Sequence, residues 1–198
     1  MAKNKINTDI FDKAIILAVN AHKGIGRKGN QLPYILHPME AAAITATMTE
    51  DQEMLAAAVL HDVVEDTLVT IEEIRREFGS RVAMLVESES EEKTPGMERE
   101  TWHYRKAKAM ERLSKSSLEI KMIAMGDKLS NMRAIYRDYH ARGEKVWDRF
   151  NTKDPAEHAW HYRELAKALS DLKDTDAYRE FERLVSDIFP EGLYREIK

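Results

Sequence analysis

The chain has 198 residues, 43% of them apolar and 33% charged, which excludes global disorder and bounds the fold at one domain burying roughly 70% of its unfolded surface. Its formal net charge is −4, so nothing global attracts nucleic acid or an anionic membrane, and an anionic ligand must be met by a local basic patch or a metal. It has no cysteine, which removes disulfides, thiolate nucleophiles and cysteine-held metals and leaves histidine and carboxylate as the strong ligands.

Helical spacing starts with Phe11, Ala14, Ile15, Ala18 and Val19, within an N-terminal stretch that lacks the apolar core of a signal peptide. No apolar run approaches the roughly 18 residues of a membrane span, and a cytoplasmic protein is expected. The segment His22-Lys23-Gly-Ile-Gly-Arg27-Lys28-Gly29-Asn30 is a basic loop punctuated by glycine. It suits a phosphate-bearing ligand, because arginine offers a planar fork, lysine a point charge, and glycine close backbone approach. Standing alone, it is equally an ordinary basic loop.

Tyr34-Ile-Leu-His37-Pro38 then places His37 at a helix start marked by Pro38. The densest chemical segment follows: the small apolar residues of AAAVLHDVVEDT run straight into His61, Asp62, Glu65 and Asp66. On a continuous helix Glu65 follows His61 on one face and Asp66 follows Asp62. Three carboxylates so close repel one another unless a cation sits among them. An adjacent His-Asp pair is a weak signal by itself, since a histidine on an apolar face is more often a satisfied core residue than a ligand.

A Thr70-x-x-Glu73 capping box opens the helix carrying Ile71, Ile74 and Phe78. Residues 88–100, SESEEKTPGMERE, read as a solvated loop. Leu118, Met122, Met125, Leu129, Met132 and Tyr136 form a long stripe that Asp127 interrupts, with Asn131 one turn later. A buried lone aspartate needs a partner. His37, His61, Asp62 and Asp127 together would supply a mixed nitrogen and oxygen site with positions left for water and substrate, a catalytic rather than a closed layout. Residues 24–33 and 142–153 are expected to be irregular, like 88–100. Asp154-Pro155-Ala-Glu157 starts a helix bearing Tyr162, Leu165, Leu169 and Leu172, and a last helix carries Tyr178, Phe181, Leu184 and Ile188. Trp102, Trp147 and Trp160 are assigned to the core.

No segment alternates with period two, and 8 glycines with 5 prolines fall well short of the average usage of about 12%. The expected fold is all-α, a bundle of about eight to ten helices in one domain spanning residues 1–198. Residues 8–141 form its core, and the helices of 154–189 pack on it.

With these residues assembled, the chain resembles the hydrolase domain of the RelA/SpoT family, within the HD phosphohydrolases, and is most similar to the small alarmone hydrolases and metazoan SpoT homologs. The resemblance covers residues 8–190 and rests on HKGIGRKG, PYILHP, LHDVVEDT, EEKT and GDKLSNMRAI in family order. It implies an HD-type helical fold and one divalent metal, manganese, held by His37, His61, Asp62 and Asp127. The implied reaction releases pyrophosphate from the 3′ position of (p)ppGpp, leaving GDP or GTP. Glu65 and Asp66 match the acidic pair that activates water; Arg27, Lys28 and Asn131 match the nucleotide pocket, and Lys93 is placed near the phosphates. The sequence ends at Lys198 without the segment a synthetase domain needs, so hydrolysis alone is expected. Ile25, Lys128, Ser130 and Ala134 depart from the residues common in the family, namely Gln, Arg, His and Thr. That leaves guanine over adenine an inherited expectation. An adenine alarmone, the 2′-phosphate of NADPH, and a non-catalytic nucleotide sensor are the alternatives, while oligomeric state is left open.

Overall fold

The computed structural model describes residues 6–27, 31–90 and 101–192. Ten α-helical segments follow one another among them: α1 (Asp9–Ala21), α2 (Leu36–Thr45), α3 (Gln52–Leu60), α4 (Val63–Asp66), α5 (Ile71–Phe78), α6 (Ser80–Glu89), α7 (Trp102–Ser114), α8 (Leu118–Arg142), α9 (Pro155–Ala168) and α10 (Asp176–Ile188). The extended pairing found among the described residues is an isolated bridge between Gly26 and Pro33. The fold is all-α, as the periodicity requires. Among the described residues no helix is long and apolar enough to cross a membrane.

The anticipated helix starts are built from side chains. Thr70 accepts from the Glu73 N–H while Glu73 returns to the Thr70 N–H, completing the capping box. Asp154 accepts from the Ala156 N–H just ahead of Pro155, satisfying a donor that the first helical turn cannot pair internally. Asp51 caps α3 through the Glu53 and Met54 N–H groups. α3 is apolar on every side, with Met54 through Leu60 all buried, so it can only be a central helix.

Two apolar clusters share α8. Ala18, Leu60, Ile74, Phe78 and Leu85 belong to the first, together with Ile123 of α8. Leu165, Phe181 and Ile188 belong to the second, together with Met125, Leu129 and Met132 of α8. The long helix is therefore apolar on two faces, which leaves its polar residues either paired or pointed into the space between the clusters. On the α2 side, Gly126 lets the backbones close up: a Cβ there would lie 2.5 Å from both the Ala41 carbonyl oxygen and Thr45 Oγ1. That approach sets the second half of α2 against the first half of α8.

Three expectations are corrected. The unbroken helix through His61–Asp66 does not form: α3 stops at Leu60 and α4 starts at Val63. His61 Nδ1 bonds the Ala58 carbonyl at 2.8 Å, the acceptor that the Asp62 N–H would take in a continuing α-helix. Residues 142–153 are not wholly irregular, because Gly143–Arg149 form a 3-10 turn in which the Trp147 indole donates to Glu144 at 2.8 Å. Trp147 is a core residue, 2% exposed, whereas Trp102 and Trp160 are half-buried, packed edge-on to each other.

Candidate metal centre and active-site cleft

Four side chains from three places in the fold converge. His37 comes from the first turn of α2, His61 and Asp62 from the break between α3 and α4, and Asp127 from the middle of α8. His37 Nε2 lies 3.2 Å from Asp127 Oδ1 and 3.4 Å from Asp62 Oδ2. His61 Nε2 lies 3.0 Å from Asp62 Oδ2 and 3.7 Å from Asp127 Oδ1. Donor atoms bound to one first-row ion at ~2.1 Å stand roughly 3.0–3.4 Å apart in octahedral or tetrahedral arrangement; three of these spacings fall in that range and the His61–Asp127 spacing is longer. Ligand atoms of His37, His61 and Asp127, all buried, lie within 4.8 Å of one another.

The ring nitrogens add an independent test of fit. His61 Nδ1 faces the Ala58 carbonyl, which can only accept, so Nδ1 carries a proton and Nε2 is the nitrogen turned to the carboxylates. That Nε2 is buried and has no hydrogen-bond partner despite its neighbours. A buried polar atom left in this way is costly unless something else binds it. With neutral imidazoles and two carboxylates as donors, the residues fit a divalent cation.

Electrostatics in the metal-free cluster point the same way. Burial works to lower the His61 pKa, but Asp62 and Asp127 overcome it and hold the imidazole well above its ordinary range. Burial likewise works to raise Asp127, yet the Lys128 ammonium and the two histidines keep it well below the usual carboxylate range. The cluster is thus a concentrated negative site that a proton or a metal must neutralise. Asp62 also accepts the Tyr34 hydroxyl at 2.5 Å, and Asp127 accepts Asn131 Nδ2 at 2.6 Å and the Lys128 ammonium.

His37, Asp62 and Asp127 line a cleft of about 460 Å³ whose walls include Arg27, Arg149, Phe150 and Tyr162, while His61 lines the space beside it. A second lobe of about 240 Å³ runs past Glu89, Lys128 and Arg112. Glu65 is exposed and borders both lobes, and the exposed Asp66 borders the larger. Arg27 donates to Asn131 Oδ1 at 2.7 Å, so the two expected nucleotide-contacting residues are joined and reach Asp127 through Asn131 Nδ2. Arg27 is held by backbone pairing: its N–H donates to the Leu32 carbonyl at 2.8 Å and the Tyr34 N–H to the Ile25 carbonyl at 2.9 Å. Lys28 and Lys93 lie outside the described residues.

Sequence reading missed Tyr34, Glu89, Lys106, Lys128, Arg149 and His161 as walls of this site. Residues 91–100 lie outside the described residues, and the solvated loop expected from 88 does not begin there, because α6 runs on through Ser88 to Glu89. The Glu89 side chain is 6% exposed, and burial, opposed by Lys128, pushes its carboxyl up to about 7.

The HD domain family matches residues 14–156, and the chain belongs to that family. Within it, the chain is homologous to RelA/SpoT-type proteins. It is 36% identical over 124 residues to the guanosine-3′,5′-bis(diphosphate) 3′-pyrophosphohydrolase of Vibrio cholerae, covering 62% of this chain and 17% of the relative. It is 35% identical over 124 residues to the bifunctional (p)ppGpp synthase/hydrolase SpoT of Escherichia coli, covering 62% and 18%. The chain thus spans less than a fifth of the length of these curated relatives. Among solved structures, it matches a metazoan ortholog of SpoT described as hydrolysing ppGpp, with TM-score 0.71, 25% identity, and coverage of 93% of this chain and 96% of that one. A Listeria monocytogenes protein matches with TM-score 0.68 and 30% identity over 79% of this chain and 98% of its own.

Proposed function

We propose that the chain is a metal-dependent (p)ppGpp 3′-pyrophosphohydrolase of the cytoplasm, with His37, His61, Asp62 and Asp127 as metal ligands and manganese as the metal. The observation that carries the reading is the convergence of His37, His61 and Asp127, with the His61 Nε2 left unpartnered and Asp62 beside both imidazoles, next to a cleft that Glu65, Asp66 and Arg27 border. The names of the relatives support the substrate class, and the near end-to-end match to the metazoan ortholog supports a hydrolase.

When bound, a divalent ion lowers the pKa of nearby water and offsets phosphate charge. The chain's own residues do the rest. Glu65 and Asp66, acceptors at the rim, take the proton of the attacking water. Arg27, held by its backbone bond to Leu32 and by Asn131, presents its fork to phosphate oxygens, and Lys128 adds positive charge on the far side of Asp127. One water is consumed: its oxygen joins the phosphorus attached to the ribose 3′ oxygen, that P–O bond breaks, and a proton ends on the 3′ oxygen. Phe150, Tyr162 and Trp102 give the larger lobe aromatic surface suited to a purine.

The test is to strip the protein of metal, restore manganese, and supply ppGpp, pppGpp, ppApp and NADPH in parallel, scoring pyrophosphate against orthophosphate. Manganese-dependent conversion of ppGpp to GDP and pyrophosphate is expected. Turnover of NADPH alone, with orthophosphate released, would keep the site and overturn the substrate; no turnover of any of the four would overturn the hydrolase.

A further inference from the structure

Behind His37 stands a chain of hydrogen bonds that no part of the reaction requires on its face. His37 Nδ1 lies 2.9 Å from Ser130 Oγ, and Ser130 Oγ donates to Glu40 Oε2 at 2.7 Å. The other oxygen, Glu40 Oε1, faces Arg133 Nη1 at 3.3 Å. Arg133 is pinned in turn by two bonds to Glu180 on α10, at 2.8 and 2.6 Å. His37 and Glu40 are one turn apart on α2, and Ser130 and Arg133 one turn apart on α8, so the network crosses the interface that Gly126 tightens. Ser130 is 0% exposed and His37 is 3% exposed.

The direction of the protons follows from chemistry. A carboxylate only accepts, so the single Ser130 hydroxyl proton goes to Glu40, and Ser130 Oγ must then accept from His37. His37 is therefore protonated at Nδ1 and presents the Nε2 lone pair to Asp62 and Asp127. This is not what those two carboxylates favour: acceptors 3.4 and 3.2 Å from Nε2 draw a proton onto that nitrogen, giving the tautomer that cannot bind a metal there.

We propose that Ser130, oriented by Glu40, is a positioning residue that fixes His37 in the Nδ1–H tautomer and so keeps Nε2 free to act as a ligand. The inference deepens the proposed function and rests on its metal reading for its purpose, though not for its proton arrangement.

Glu40→Gln is the decisive variant, because it conserves shape while reversing the relay. Arg133, a donor, keeps the amide oxygen at the Oε1 position, which puts the amide NH₂ where Oε2 stood. That group donates to Ser130 Oγ, the hydroxyl proton turns to His37 Nδ1, and the imidazole proton moves to Nε2. The expected result has two parts. Long-range ¹H–¹⁵N spectra of the metal-free full chain, taken with the His37 ring neutral, should show Nδ1–H in the unaltered protein and Nε2–H in the variant. Calorimetric titration with Mn²⁺ should show affinity weakened about 10- to 100-fold. Ser130→Ala should move both readouts the same way, and Ser130→Thr, which retains the hydroxyl, should restore them. An unaltered protein already in the Nε2–H form, or a Glu40→Gln variant that keeps Nδ1–H and an unchanged Mn²⁺ dissociation constant, would overturn the proposal. Should the unaltered chain bind no Mn²⁺ while the tautomer still switches in Glu40→Gln, the relay stands and the metal reading fails.

Discussion

Gly126→Ala tests the geometry on which the whole site depends. In an unconstrained helix interior this change stabilises by about 1 kcal/mol, through lower backbone entropy in the unfolded chain and better helix propensity. Here the new Cβ meets the Ala41 carbonyl oxygen and Thr45 Oγ1 at 2.5 Å and the Ala41 carbonyl carbon at 3.2 Å. The carbonyl cannot swing aside, being part of α2 and already accepting the Thr45 hydroxyl at 2.9 Å. Reaching the ordinary contact range of 3.4–4 Å requires α2 and α8 to part by roughly 1 Å, and such overpacking costs ~1–3 kcal/mol. The propensity gain offsets part of this, leaving a net loss of up to about 2 kcal/mol, or a fall in Tm of up to roughly 8 °C for a chain of this size. Asp127 is the next residue and His37 sits one turn before Ala41, so the 3.2 Å spacing of their ligand atoms opens as well. Ligand distances are tolerated within about 0.2 Å, and Mn²⁺ affinity should fall at least as steeply as stability. Thermal unfolding by circular dichroism and calorimetric metal titration read the two effects separately. A variant that melts higher than the parent, with metal affinity intact, would refute the close approach.

Glu89→Gln should raise stability at pH 8 while changing little at pH 4. The carboxyl is lifted from 4.5 to about 7 in the folded chain, so the native state binds more protons between those values and stability falls as pH rises through that window. At 1.36 kcal/mol per pKa unit this amounts to about 3 kcal/mol; denaturant unfolding at both pH values checks it, and a pH-independent difference would refute it. Asp127→Ala should abolish stoichiometric metal binding together with activity, and metal retained by that variant would show that Asp127 is no ligand. Glu65→Gln should keep the metal while lowering kcat about 10²- to 10⁴-fold, so near-normal turnover would remove Glu65 from proton transfer. Arg27→Ala should act mainly on KM, with an unchanged KM counting against a phosphate contact.

The helices were legible because their signals are local. Caps at Thr70 and Asp154 and the stripe from Met122 to Tyr136 need only a few neighbouring residues, and the structure uses each of them, whereas Leu118 at the start of the expected stripe is exposed. The histidines and aspartates were legible for a related reason: a polar residue set among apolar ones, as His61 is after AAAVL or Asp127 within its stripe, carries a desolvation cost that begs a partner. Where local reading failed, a side chain had competed with the backbone. The break after Leu60 depends on the His61 ring bonding Ala58, and helical periodicity is blind to that.

What remained hidden lies between segments distant in the chain. Glu40 and Ser130 each look like a polar residue on the flank of a helix, and their bond spans 90 positions. Gly126 carried a faint mark, since a glycine inside a helix costs about 1 kcal/mol against alanine and is kept where something packs close. The same crossing that needs that glycine places Ser130, one turn beyond it on α8, against His37. A single backbone approach thus sets both the spacing of two metal-ligand candidates and the proton on one of them. The candidate ligands could be named one residue at a time, whereas the parts that orient them exist only once α2 and α8 are in contact.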